Sequence, residues 1–191
     1  MKPIFFLIFN LLLSSSGRQP ELNYQKQSNG VKIKLRDGYL GIFPVADNAV
    51  RVKFVKDTLE SLPELILTSE FKVPDFDVSE SSSAIEINGK NIHVVFDKKT
   101  SKLSYADASG KVFLSELAGS RILKPDSVMG KKCYIAEQSF GSPDDEYIFG
   151  LGQFQDGQYN LKGISRRLTQ VNTQIAIPFI YSNKGYGVLW H

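Results

Sequence analysis

The chain has 191 residues, a formal net charge of +3, 42% hydrophobic residues and one cysteine, enough for one domain that buries roughly 70% of the surface its unfolded chain exposes. Charges of both signs are interspersed, and no Lys/Arg stripe could neutralise successive phosphates, which excludes nucleic acid as a partner. Cys133 has no second cysteine to pair with, so the fold depends on its core, and the thiol reads as a small buried apolar residue.

Met1-Lys2-Pro3, an apolar run over residues 4–13 broken only by Asn10, and Ser14-Ser15-Ser16-Gly17 outline a secretory signal peptide over residues 1–17. The apolar run is about half of the roughly 20 residues a membrane span needs, so a secreted or periplasmic protein without a span is expected. Residues 18–29 read as an exposed linker closed by a turn at Asn29-Gly30, and residues 30–191 as the domain.

Val31, Ile33 and Leu35 alternate with Lys32, Lys34 and Arg36, the period of a half-buried strand, and Asp37-Gly38 turns the chain into residues 39–43. Val50, Val52 and Phe54 repeat the pattern. Residues 60–70 leave strand and irregular anchor both open, and the acidic, serine-rich residues 74–83 read as an exposed loop with solvated carboxylates. Ile85/Ile87, Asn88-Gly89, Ile92/Val94/Phe96, Leu103/Tyr105 and residues 112–114 form a meander of hairpins, with the lysines of residues 98–102 in a solvated connection. Residues 133–140 supply another strand, ended by a turn at residues 141–145. Short strands about ten residues apart and no long amphipathic helix predict an all-β, antiparallel sandwich.

The two histidines, His93 and His191, stand far apart with no marked nucleophile, and no metal-ligand spacing occurs, so neither a triad nor a metal or cofactor site is expected. His93 reads as a partly exposed strand residue. Gly150-Leu151-Gly152 fails the dinucleotide pattern because Gln155 stands where glycine is required; paired glycines instead permit a bulge that brings backbone close to another layer. Asp144, Asp145 and Glu146 are sequence neighbours on a Pro turn and read as solvated rather than as the two carboxyls of a glycosidase. Gln153, Gln155, Asp156, Gln158 and Asn160, then Gln170, Asn172 and Gln174, carry groups that suit sugar hydroxyls, and Phe154, Tyr159 and Trp190 could stack on a sugar ring.

Three segments in order carry a family resemblance: Asp145-Glu146-Tyr147-Ile148-Phe149-Gly150-Leu151-Gly152-Gln153-Phe154-Gln155-Asp156-Gly157; Leu168-Thr169-Gln170-Val171-Asn172-Thr173-Gln174 with Ile177-Pro178-Phe179; and Lys184-Gly185-Tyr186-Gly187-Val188-Leu189-Trp190. Upstream, Val94-Val95-Phe96-Asp97 and Asp107-Ala108-Ser109-Gly110 extend it. The chain resembles the N-terminal domain of glycoside hydrolase family 31, most nearly the secreted α-xylosidase-like members of Bacteroidetes type. The resemblance implies a galactose-mutarotase-like sandwich (a supersandwich) that packs on a (β/α)8 barrel, in cis or from a split gene, and sends a loop over a pocket for an α-linked oligosaccharide. In the family both catalytic aspartates lie on the barrel, which alone takes about 250 residues, so no catalytic residue is assigned here. The positions matching the pocket-facing loops, and so the substrate-binding candidates, are Gln153, Asp156, Asn172 and Gln174. Asn172 and Gln174 are expected to bond the sugar, with Gln153, Phe154 and Asp156 ordering the loop. Other members place an aspartate near the second loop where this chain has an Asn/Gln pattern. A free-standing carbohydrate-binding or interaction module, and a non-functional gene fragment, stand as alternatives.

Overall fold

The computed structural model of the chain describes residues 23–57, 66–67 and 72–191. The signal-peptide reading and most of residues 60–70 lie outside them. The described residues are strands and loops without a helix.

Two antiparallel sheets form the core. The first runs β1 (Tyr24–Gln27), β2 (Gly30–Leu35), β3 (Gly38–Ala46) and β4 (Ala49–Val55), each paired with the next. The second runs β5 (Asp77–Glu80), β6 (Ala84–Asn88), β7 (Ile92–Asp97), β8 (Leu103–Asp107) and β9 (Val112–Ser115). Because successive side chains on a strand point to opposite faces, the alternating apolar residues gather on one side of each sheet. Val31, Ile33, Leu35, Leu40 and Ile42 of the first sheet meet Ile85, Ile87, Val94, Phe96, Leu103, Tyr105 and Leu114 of the second in one buried cluster. This is the expected sandwich, and its inward residues are those that the two-residue period singled out.

Two strands arise where the sequence reading expected exposed connections. Tyr24–Gln27 stays exposed yet pairs with β2 as an edge strand. Within residues 74–83, Asp77–Glu80 pairs with β6, because Phe76 and Val78 alternate with charged residues and pack against the core. The carboxylate of Glu80 is not merely solvated: Lys98 donates to it, and Lys98 also donates to the Ser81 carbonyl at 2.8 Å. His93 is half-buried and hydrogen-bonded to Asn88 at 2.8 Å, as a strand residue. Cys133 is half-buried rather than fully enclosed.

Beyond the core stand a ribbon of β10 (Ile122–Val128) and β11 (Lys131–Glu137) and a three-stranded sheet of β12 (Ile148–Gln153), β13 (Ile175–Ser182) and β14 (Gly187–Leu189). The residue pattern gave no warning of β10, which contains Pro125. With a single partner strand, the missing N–H of Pro125 breaks no second ladder. The ribbon turns through Met129 (φ 50°) and Gly130 (φ 76°), both left-handed as a type I′ turn requires. Methionine is a poor occupant there, and Met129 is 97% exposed, so it offsets the strain with no packing. Met129→Asn is therefore expected to stabilise the ribbon by about 1 kcal/mol, read as slower amide exchange across Ile122–Val128. The three-stranded sheet reaches the core through Tyr186 and Val188, with the Tyr186 ring stacked on Phe113 at 5.7 Å.

Candidate functional site

The site grows from an irregularity in one strand pair. β12 and β13 run in register from Ile148↔Ser182 to Gly150↔Ile180, then resume at Gly152↔Ala176 and Gln153↔Ile175. A single residue, Leu151, thus faces Ile177, Pro178 and Phe179. Gly150 (φ 114°), Leu151 (φ 63°) and Gly152 (φ 101°) all turn left-handed to make this possible. A Cβ on Gly152 would lie 1.9 Å from the Ile175 carbonyl oxygen, and one on Gly150 2.4 Å from that of Phe179. The paired glycines make the bulge expected of them, but the backbone they admit belongs to the neighbouring strand and not to another layer.

The bulge brings the carboxyl end of β12 beside the start of β13. Gln153 stands opposite Ile175, and Gln174 is the residue just before it. Val171 and Gln174 bridge through backbone bonds of 3.3 and 3.2 Å, which leaves Asn172 and Thr173 as the tip of a tight turn. Three of the four candidates, Gln153, Asn172 and Gln174, therefore share one end of the strand pair. Their side-chain amides make no hydrogen bond among the described residues, whereas other amides of the same segments do. The Gln170 side chain accepts the Ala176 N–H at 3.0 Å, and Asn160 accepts those of Ile148 at 3.1 Å and Lys162 at 3.2 Å. Hydrogen bonding thus divides the amide-rich stretch into groups that hold the loops and groups left free.

Asp156 belongs to the first kind. Its carboxylate takes both terminal nitrogens of Arg166, one of them at 3.0 Å, and the Gln158 N–H at 3.1 Å. Arg166, with a side chain only 10% exposed, also lies 4.3 Å from the Phe154 ring centre, and its Nε is buried without a partner among the described residues. Phe154, Asp156 and Arg166 thus form one clamp, and the Asp156–Arg166 pair closes a loop whose ends lie ten positions apart. Sequence reasoning passed over Arg166; the signal for it was a cation returning after the amide run to meet the carboxylate. Arg166 first, then the Gln158 N–H, hold the Asp156 carboxyl below its ordinary range. Its contribution is present above that range and is lost as pH falls through the lowered value. Asp156→Asn is expected to speed trypsin cleavage after Lys162 and Arg166 several-fold at neutral pH.

Glu146 departs from the solvated turn expected of it. While Asp145 is exposed and paired with Lys184 at 2.5 Å, Glu146 is fully buried. Its Oε1 accepts the hydroxyls of Ser182 at 2.5 Å and Tyr186 at 2.6 Å, and its Oε2 has no hydrogen-bond partner among the described residues. Burial opposes ionisation, but the hydroxyls of Ser142, Ser182 and Tyr186 and the charge of Lys162 outweigh it and hold the carboxyl below the ordinary range. Burial and the adjacent carboxylate push the Tyr186 phenol up. Glu146 therefore ties the β12 approach to the β13–β14 turn.

The outer face of this sheet is apolar and open: Ile175, Ile177, Phe179, Tyr181 and Leu189 are each between 41% and 50% exposed. The Trp190 N–H is fixed on the Pro178 carbonyl at 2.8 Å.

Comparison with known proteins gives the family of the domain. The family described as the glycosyl hydrolase 31 N-terminal galactose mutarotase-like domain matches residues 39–191. The chain belongs to that family. The family 31 domain is 31% identical over 157 residues to the alpha-xylosidase of Saccharolobus solfataricus, covering 76% of this chain and 21% of that protein. Among solved structures it is similar to the alpha-xylosidase of Xanthomonas citri, with TM-score 0.76 and 30% identity over 87% of this chain and 18% of that one. An alpha-xylosidase from a soil metagenome, complexed with xylose, gives TM-score 0.72 and 29% identity over 88% of this chain and 28% of that one. The family 31 domain thus spans between about a fifth and just over a quarter of the length of these relatives. A Flavobacterium johnsoniae dextranase at 18% identity and TM-score 0.61 shares the fold.

Proposed function

We propose that the chain is the non-catalytic sandwich of an exported α-glycosidase of α-xylosidase type, and that the β12–β13 end borders the sugar entrance of a (β/α)8 barrel. The observation that carries this reading is the trio of free amides, Gln153, Asn172 and Gln174, beside the open apolar face of the same sheet. Amides that no backbone group occupies can bond sugar hydroxyls, and an apolar face of this kind needs a second domain to cover it. Asp156 has the supporting role of holding the loop through Arg166.

The carboxyls at this end support the placement of the chemistry elsewhere. Glycosidic hydrolysis needs one carboxyl kept protonated by its surroundings, and Asp145, Glu146 and Asp156 are all pushed the opposite way. The purified chain is expected to leave an aryl α-xyloside intact. Joined to a family 31 barrel it is expected to support hydrolysis, with Asn172→Ala plus Gln174→Ala raising KM about tenfold, the loss of one or two neutral hydrogen bonds. Hydrolysis by the chain alone would refute the reading, and micromolar binding of xylo-oligosaccharides without a barrel would favour a free-standing binding module. Export through residues 1–17 is checked by sequencing the amino terminus of the mature protein.

A further inference from the structure

A second concavity lies away from these loops, at the end of the sandwich where β2 turns into β3 and β7 into β8. It is an open cleft of about 790 Å³ whose rim includes Lys34, Arg36, Lys98, Lys99, Lys102 and Arg121. Three separate stretches contribute these cations, so the sequence alone shows only the lysines of residues 98–102, too few for a strong field. The fold adds the others, and the acidic side chains on the rim are Asp37 and Glu116.

The cations are of two kinds. Lys98 is occupied by Glu80, and Arg121 by Glu116 and by the Ser101 carbonyl at 3.1 Å. These two are structural: Glu116 is itself buried and accepts the Leu103 N–H at 2.9 Å, so Arg121 pins the 98–102 turn to the core. The turn is fixed from its other side by Asp97, which accepts the N–H groups of Lys99 at 3.0 Å and Thr100 at 2.7 Å. Lys34, Arg36, Lys99 and Lys102 make no salt bridge among the described residues. Lys34 lies over the Tyr39 ring at 3.8 Å, and Lys102 adds to the field that holds the Asp97 carboxyl low. The lining also includes Leu35 and Phe54, the Asn23 amide and the Thr100 and Ser101 hydroxyls, with the Arg121 guanidinium 5.8 Å from the Phe54 ring centre.

We propose that this cleft is a second binding site, for a carboxylate-bearing oligosaccharide of uronic acid type. Cations on pre-ordered turns, without a salt bridge among the described residues, select an anion. Apolar side chains beside hydroxyl and amide groups in one lining suit a pyranose ring, with a C–H face and a hydroxyl edge. Nucleic acid fits less well, since a duplex presents a charge every 1.7 Å or so and demands a longer basic track than this concave end offers. The choice of a glycan rests on the reading of the chain as a saccharide-facing domain; the choice of an anion does not.

The test is calorimetric titration of the 191-residue chain with oligogalacturonate and with neutral xylohexaose. Binding of the first and not of the second by this cleft is expected. The variant R36Q/K99Q/K102Q is expected to bind oligogalacturonate at least about tenfold more weakly, because it removes three cations of the rim, Arg36 and Lys99 exposed and Lys102 half-buried. The variant K124Q/K131Q/K132Q, with the same change of charge placed on the β10–β11 ribbon, is expected to bind as the parent does. Absence of binding, equal weakening in both variants, or equally tight binding of a single-stranded oligonucleotide of matched charge would each overturn the proposal. Should the first variant fail to fold, Arg36→Gln alone, followed by amide shifts at residues 36 and 98–102, reads the same interaction. Asn172 and Gln174 are untouched in these variants, so failure here leaves the barrel-linked KM test standing, and the converse holds.

Discussion

Replacing Gly152 with alanine is expected to abolish the pairing of β12 with β13 at its bulged end and to destabilise the chain by about 3 kcal/mol or more. The added Cβ would sit 1.9 Å from the Ile175 carbonyl oxygen, 2.8 Å from its carbon and 3.0 Å from the Ile177 nitrogen. All three are backbone atoms, so no side chain can swing aside. Relief requires β13 to move, and with it the Val171–Gln174 turn that presents Asn172. Gly157→Ala is the control: its φ of 72° is also left-handed, but nothing lies within 4 Å, and a loss of about 1 kcal/mol is expected. Urea unfolding of the two variants separates steric exclusion from the general penalty of a left-handed residue. Similar losses would show that the bulge is not as tight as described.

Glu146→Ala is the second large effect, with an expected loss of about 3 kcal/mol. The change strands the Ser182 and Tyr186 hydroxyls in a buried pocket, where each has its bond to Glu146 at 2.5 and 2.6 Å respectively. It also removes the tie between the start of β12 and the turn before β14, so the loss should appear first in the three-stranded sheet. The pH dependence follows from the lowered carboxyl pKa. A group whose folded value lies below its unfolded one stabilises above the unfolded value, about 4.3 for glutamate, and loses that contribution as pH falls through the folded one. The parent chain should therefore lose melting temperature in acid more steeply than Glu146→Gln, whose side chain still accepts a hydroxyl but does not titrate.

The sandwich was legible because its inward residues obey a strict period of two. Val31, Ile33 and Leu35, and Ile92, Val94 and Phe96, needed only turn residues between them to be read as strands. The β1 edge strand, Tyr24–Gln27, was not legible, since YQKQ is polar and gains its structure from pairing rather than burial. Asp77–Glu80 was hidden in the same way by its acidic composition. The burial of Glu146 between two exposed neighbours depends on Ser182 and Tyr186, which lie 36 and 40 residues further on. The candidate loops were visible as a run of amides, but which of them are free is decided by partners across the loops. Gln170 and Asn160 look no different from Asn172 and Gln153 until the backbone N–H groups they accept are in place. For Asp156, the sequence reading did not single out the cation that fixes it, Arg166.

The proposal that this sheet is one wall of a two-domain saccharide cleft is tested most directly by amide exchange on the chain, free and mixed with a family 31 catalytic barrel. Slower exchange across Ile175–Ser182 and Gly187–Leu189 on adding the barrel, with residues 153 and 172–174 slowing further only when xylose is present, is the expected result. Exchange unchanged in those strands, or slowed on the two core sheets instead, would contradict it.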